Sequence, residues 1–174
     1  MNRIEFVVEA ADAPGSEALG VPWLAILIDG VRLQELVRPI ERPLALAEVD
    51  GDEDEAPSSG GYVGLGLSDG VFWPSLHFLG EPELSYCNEG DTVLLGCPCG
   101  LWGCWPLSAR VDVTNTSVTW SGFFNGMRKS WDLAGLGPFV FDRRQYEASL
   151  RSTAPPSATP LSNPRKPPPE YLQV

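Results

Sequence analysis

Ile4, Phe6 and Val8 alternate with Glu5, Val7 and Glu9, the period-two signature of a half-buried strand. The next apolar run, Trp23 to Ile28, is unbroken. Asp29-Gly30 follows it, and Val31, Leu33 and, less regularly, Leu36 and Val37 continue the apolar content. Asp-Gly between two such runs predicts a hairpin, because both residues tolerate positive φ. Residues 61–67 and 71–79 predict another strand pair around Ser68-Asp69-Gly70, and residues 92–96 a short β-branched and leucine strand. The clearest hairpin is 107–114 with 117–124, turning at Asn115-Thr116: Val111 and Val113 alternate with Asp112 and Thr114, and Val118 and Trp120 with Thr119 and Ser121. Residues 139–141 predict a last strand feeding one helix, with Asp142 as its N-cap and Tyr146 and Leu150 one turn apart on its apolar face. The pattern is α+β, mainly antiparallel β-sheet with one C-terminal α-helix.

Composition adds punctuation and boundaries. The 174 residues include 18 Gly and 17 Pro, which favours short elements and many turns. From Ser152 onward there are seven prolines in 23 residues and no periodic apolar face. The expected organisation is therefore a single α+β domain over 1–151 and a disordered Pro-rich tail over 152–174. Residues 48–55, EVDGDEDE, carry six carboxylates in eight positions and predict a solvated acidic loop spanning 48–60. The spacing is not that of a calcium-binding EF-hand loop.

Charge narrows the partners. The net charge is -11, and the first 150 residues hold 22 acidic against 9 basic side chains, so a phosphate backbone is repelled and nucleic acid is not an expected partner. The N-terminus reads as a charged strand and not as a signal segment, and the longest apolar run, residues 21–28, is too short to span a bilayer. These features point to a cytoplasmic protein without membrane association, whose cysteines stay reduced.

Candidate chemistry centres on LLGCPCGLWGCWPL, residues 94–107. Cys97, Cys99 and Cys104 supply three soft ligands from a glycine-containing loop, and His77, the sole histidine, or Cys87 is the candidate fourth ligand of a zinc site. The C-x-C-x4-C spacing differs from standard zinc fingers. A Cys97/Cys99 pair also suits copper(I) or thiol–disulfide exchange, although the nearest basic residue along the chain is Arg110. Alternatively the cysteines are small apolar residues packed beside Trp102 and Trp105. The glycine-rich 60–66 lacks the Lys-Ser/Thr and helix of a phosphate loop, and no G-x-S-x-G elbow accompanies His77 and Ser75. Trp102, Trp105, Trp120, Phe123, Phe124 and Trp131 read first as core. Arg128, Lys129, Arg143 and Arg144 read first as partners of the chain's own carboxylates.

The CPCG, GCWPL and GPFVFDRRQY segments (97–100, 103–107 and 137–146) resemble a family of proteins from high-GC bacteria that has no assigned activity. The resemblance covers roughly 90–150 and implies that the cysteine loop and the later segment share one domain. The functional expectation is a non-catalytic interaction or regulatory domain with a protein partner and a structural zinc. The alternative is a thiol-redox or copper-handling protein acting through Cys97 and Cys99.

Overall fold

The first hairpin forms where the apolar pattern places it. In the computed structural model, which describes residues 1–14, 19–87 and 90–156, β1 (Ile4–Glu9) pairs antiparallel with β2 (Trp23–Ile28), from Ile4 opposite Ile28 to Glu9 opposite Trp23. Asp29 and Gly30, at φ 51° and 82°, then turn the chain into β3 (Val31–Arg32).

The strand expected to continue through Leu36 and Val37 is instead a helix, α1 (Leu33–Ala47). Its buried face is Leu33, Val37, Glu41 and Ala45, one residue every turn. Pro39 and Pro43 lie inside the helix on exposed positions. Each removes one backbone donor and ordinarily breaks a helix, so the sequence argues against helix here. Burial of the opposite face outweighs that cost.

The second sheet is a meander in chain order: β4 (Val63–Gly64), β5 (Asp91–Gly96), β6 (Leu107–Val113), β7 (Ser117–Asn125) and β8 (Phe139–Asp142), all antiparallel. The β6–β7 hairpin closes at Asn115-Thr116 as expected, with Thr114 N–H donating to the Ser117 carbonyl at 2.9 Å. The expected pair over 61–67 and 71–79 does not form. Only two of those residues become a strand, and Leu67–Asp69 and His77–Leu79 are 3-10 turns. The Asp69 carboxylate accepts the Gly66 N–H at 2.7 Å, which closes a local turn where the hairpin was expected.

The two sheets meet at both ends. Leu24 N–H donates to the Leu65 carbonyl at 2.9 Å, and Leu67 N–H to that of Pro22 at 2.7 Å. β4 lies so close to β2 that a Cβ on Gly64 would fall 1.6 Å from the Leu24 oxygen, which explains the glycine. At the other end Asn2 N–H donates to the Val140 carbonyl at 2.7 Å, and the strands follow one another around a barrel-like ring.

A seam remains between β1 and β8, and α2 (Arg143–Arg151) lies across it. The Gln145 side chain accepts from Ile4 N–H at 3.2 Å and donates to the Ile4 carbonyl at 2.6 Å. Ser149 Oγ accepts from Phe6 N–H at 2.8 Å. These side chains satisfy main-chain groups that an edge strand otherwise leaves open. Asp142 caps the helix as expected, accepting from Gln145 N–H at 3.0 Å, and Tyr146 and Leu150 are fully buried. Tyr146 Oη donates to the Phe78 carbonyl at 2.7 Å and accepts from Trp120 Nε1 at 3.1 Å. One apolar core draws residues from Ile4 to Leu150, with Phe6, Phe78, Trp120, Phe141 and Tyr146 at its aromatic centre. Of the clustered aromatics, Trp120, Phe123 and Trp131 are buried, whereas Trp102, Trp105 and Phe124 are half-buried.

Docked structure runs past the expected boundary at residue 151. Thr153 is 1% exposed; its hydroxyl donates to the Leu150 carbonyl at 2.7 Å and accepts from Trp73 N–H at 3.0 Å. The rest of the expected tail, 157–174, lies outside the described residues. No helix among the described residues is long and apolar enough to cross a membrane.

Thr153→Val keeps the shape and removes the hydroxyl, leaving the Trp73 N–H without its acceptor. The expected loss is about 1 kcal/mol in urea unfolding. Asp142→Ala removes the helix cap and is expected to cost about 1 kcal/mol. An unchanged midpoint for Thr153→Val would mean that the segment after α2 contributes nothing to stability.

Candidate metal centre

Two tight turns gather the cysteines at the end of β5. Gly96 ends the strand, and a Cβ there would sit 2.9 Å from Trp102 Cα, so only glycine lets the 3-10 turn Trp102–Cys104 fold back onto the strand. The Gly100 N–H donates to the Cys97 carbonyl at 3.2 Å, closing the first turn. The Cys104 N–H donates to that of Leu101 at 3.0 Å, closing the second. As a result the Sγ atoms of Cys97, Cys99 and Cys104 all lie within 4.8 Å of one another. A tetrahedral zinc with Zn–S bonds of about 2.3 Å holds its sulfurs about 3.8 Å apart, a contraction within reach of side-chain torsions.

The thiols are unequal. Cys97 is half-buried, while Cys99 and Cys104 are exposed, which contradicts packing as the reason for the latter two. Burial, with the neighbouring thiols, pushes Cys97 up to about 11. Hydrogen bonding with the Leu101 main chain, then with Cys97, holds Cys99 below the ordinary thiol value. The Cys99 N–H also approaches Cys97 Sγ at 3.5 Å. Between Cys97 and Cys99, the first proton therefore leaves from Cys99, which is exposed.

His77 does not join them. It is fully buried, its Nε2 lies 2.7 Å from the Val93 carbonyl, and its Nδ1 accepts from Glu83 N–H at 3.1 Å. That pattern requires the neutral tautomer protonated on Nε2 and leaves no lone pair for a metal. Cys87 belongs to the opposite end of β5, where its N–H donates to Asp91 at 3.0 Å; the six-residue strand, about 17 Å long, lies between it and Cys97. With one histidine and four cysteines in the sequence, this chain has no further nitrogen or sulfur ligand of these types to offer.

Beside the sulfurs is a shallow depression of about 470 Å³, lined by Cys97, Cys104, Glu55, Pro57, Trp105 and Arg128. Arg110, the basic residue nearest along the chain and expected to give the thiols no support, pairs with Asp112 at 3.0 Å. Arg128 supplies the positive charge instead. Its guanidinium lies 5.2 Å from the Trp105 ring and 3.0 Å from Glu48, which also accepts from Trp131 Nε1 at 2.7 Å. Thus the first residue of the expected solvated acidic block is anchored, while 50–55 are exposed. Arg143 likewise pairs internally, with Glu147 at 2.7 Å.

Arg128 is placed by a buried network. Asn125 Oδ1 accepts from Met127 N–H at 2.8 Å and Arg128 N–H at 3.0 Å, and Asn125 Nδ2 donates to Tyr62 Oη at 2.7 Å. Tyr62 Oη donates to the fully buried Glu41, whose other oxygen accepts from Gly60 N–H at 2.6 Å. Burial raises the Glu41 carboxyl above the ordinary range, and burial together with Glu41 raises the Tyr62 phenol. The only sequence sign of this network was a glutamate where α1 needs an apolar residue. No protein-family model matches the chain, and neither the curated proteins nor the solved structures contain a match to it.

Because His77 is buried neutral, with burial lowering its pKa from 6.5 to about 4, the folded protein binds fewer protons there than the unfolded chain. Its contribution is complete above pH 6.5 and is lost as pH falls toward 4, a window worth roughly 3 kcal/mol. Urea unfolding of parent and His77→Gln at stepped pH is expected to show the parent losing stability faster on acidification. Parallel curves would remove this role.

Proposed function

We propose that the chain is a metal-dependent interaction domain in which Cys97, Cys99 and Cys104 bind zinc as thiolates. The observation that carries the reading is the convergence of the three sulfurs within 4.8 Å on a turn built for that convergence. Thiolates are soft ligands that favour zinc or copper(I), and binding displaces their protons. Closed structural zinc sites use four protein ligands, whereas sites with three keep a position open. The depression lined by Cys97, Cys104, Trp105 and Arg128 adjoins the sulfurs, and in this reading a donor from outside the chain, water or a partner's side chain, completes the site. The Arg128 guanidinium offsets part of the net negative charge of a zinc tris-thiolate. A reducing compartment, the cytoplasm, keeps the three thiols available.

A second reading rests on Cys99, which is exposed and holds its thiol pKa low beside two other thiols. In that reading the Cys99 thiolate attacks a disulfide of a partner molecule and expels one of its sulfurs as a thiolate; a neighbouring cysteine then attacks the mixed disulfide, so that Cys99 ends in an internal disulfide and the partner leaves as a dithiol.

One titration separates the two. Reduced protein is expected to bind one equivalent of zinc, and cobalt(II) in its place should give the visible bands and thiolate charge-transfer absorption of a tetrahedral sulfur site. Cys99→Ser and Cys104→Ser are each expected to weaken binding at least tenfold, as the loss of one of three ligands would, while Cys87→Ser leaves it unchanged. Protein that takes up no metal but cycles reversibly between two thiols and a disulfide would support the redox reading. Protein inert in both assays would remove both.

A further inference from the structure

Zinc on three thiolates needs one more donor, and the described residues do not bring one to the sulfurs. His77 is spent on Val93 and Glu83, and Cys87 lies beyond the far end of β5. Glu55 lines the depression beside Cys97 and Cys104, but its carboxylate is not among the ligand atoms that lie within 4.8 Å of one another. A second copy of the chain offers nothing better. Its sole histidine is buried in the same way, and two chains of net charge -11 repel. The fourth donor therefore comes from a different molecule.

Charge selects the kind of donor. A divalent ion on three thiolates carries one net negative charge, and a fourth thiolate or a carboxylate doubles it. Like charges a few ångströms apart repel, the more so where water is partly excluded. The exposed Glu55 in the wall and the acidic molecule behind it add to that cost. An imidazole binds zinc as the neutral ring and adds no charge. Pro57, Pro98 and the Trp105 ring, which line the same depression, also offer a flat side chain apolar surface.

The rim selects what carries the imidazole. Two cations near the acidic segment are already paired, Arg128 with Glu48 at 3.0 Å and Arg42 with Glu53 at 2.6 Å. Asp54 and Glu55, both exposed, have no ion pair among the described residues. A segment with lysine or arginine beside its histidine meets those carboxylates while its ring enters the depression. We propose that the partner of this domain is a protein segment that gives the metal a histidine imidazole and sets basic residues beside it against Asp54 and Glu55. The proposal rests on the zinc reading of the three cysteines and adds the chemistry of the partner.

The test uses the full chain loaded with cobalt(II), whose visible bands report the donor set, at about pH 8, where a free histidine side chain is neutral. The probes are imidazole, a short peptide with one histidine between lysines, and the same peptide with glutamates in place of the lysines. Imidazole and the lysine peptide are expected to shift the bands saturably. The lysine peptide should bind at least tenfold tighter than the glutamate peptide at low salt, an advantage that shrinks as salt rises. A lysine peptide with alanine for histidine should give no shift. Glu55→Gln, at an exposed position, is expected to keep the bands and the imidazole affinity and to lose part of the lysine peptide's advantage. Protein that gains no cobalt bands at all refutes the zinc reading, and this proposal with it. With the metal bound, four results overturn the proposal alone: bands indifferent to imidazole, acetate or 2-mercaptoethanol binding more tightly than imidazole, a lysine peptide no tighter than the glutamate peptide or free imidazole, or bands changed by Glu55→Gln, which would make Glu55 the fourth ligand.

Discussion

A carboxylate with no solvent exposure sits in the middle of α1, and the surroundings of the cysteines depend on it. An ionised Glu41 in that position is costly unless its oxygens are bonded. Gly60 N–H and Tyr62 Oη meet that need, and Asn125 extends the chain to the main chain of Met127 and Arg128. Each member satisfies its neighbour, so loss of any one strands the others and the network acts as a unit. Through it α1, the 60–62 segment and the end of β7 hold fixed positions. The depression beside Cys97 and Cys104 inherits its walls from that arrangement.

What could be read in advance depended on whether a residue's role was local. The β1, β2 and β6–β7 patterns, the Asp29-Gly30 turn and the Asp142 cap depend on neighbours a few positions away, and each appears where period and turn chemistry put it. α1 was hidden because its apolar repeat is interrupted at Glu41 and carries two prolines; its partner at Tyr62 lies 21 residues away. The strand pair expected over 61–79 failed because the Asp69 carboxylate takes the Gly66 N–H into a local turn where the hairpin was expected. The cysteine cluster was legible in composition and spacing. The exclusion of His77 was not, since it turns on the Val93 and Glu83 main chain folding around the ring. Arg128 and Glu48, 80 residues apart, meet only in the folded chain.

The charge of the molecule bears on what can occupy the cysteine site. A chain of net charge -11 concentrates cations near its surface and repels anions. Glu55, from the exposed end of the acidic segment, lines the depression with the sulfurs, and the Arg128 charge is largely committed to Glu48. A divalent metal is attracted to such a place. An anionic substrate would have to approach against the field of the whole protein.

The seam closed by α2 has a consequence for how the molecule assembles. Ile4 and Gln145 bond across a sequence separation of 141 residues, and Phe6 and Ser149 across 143. During synthesis β1 and β2 emerge before α2 and form their hairpin, but the groups that seal the outer edge of β1 arrive only with α2. Until then the N-terminal strand presents bare main-chain N–H and C=O groups, the kind of edge on which chains pair wrongly with one another. Closure at such long separation also carries a large chain-entropy cost before any reward, which slows folding. Nascent chains that stall before residue 149 would keep β1 open, so mispairing in such chains is a hazard set by the order of synthesis and not by the contacts of the finished fold.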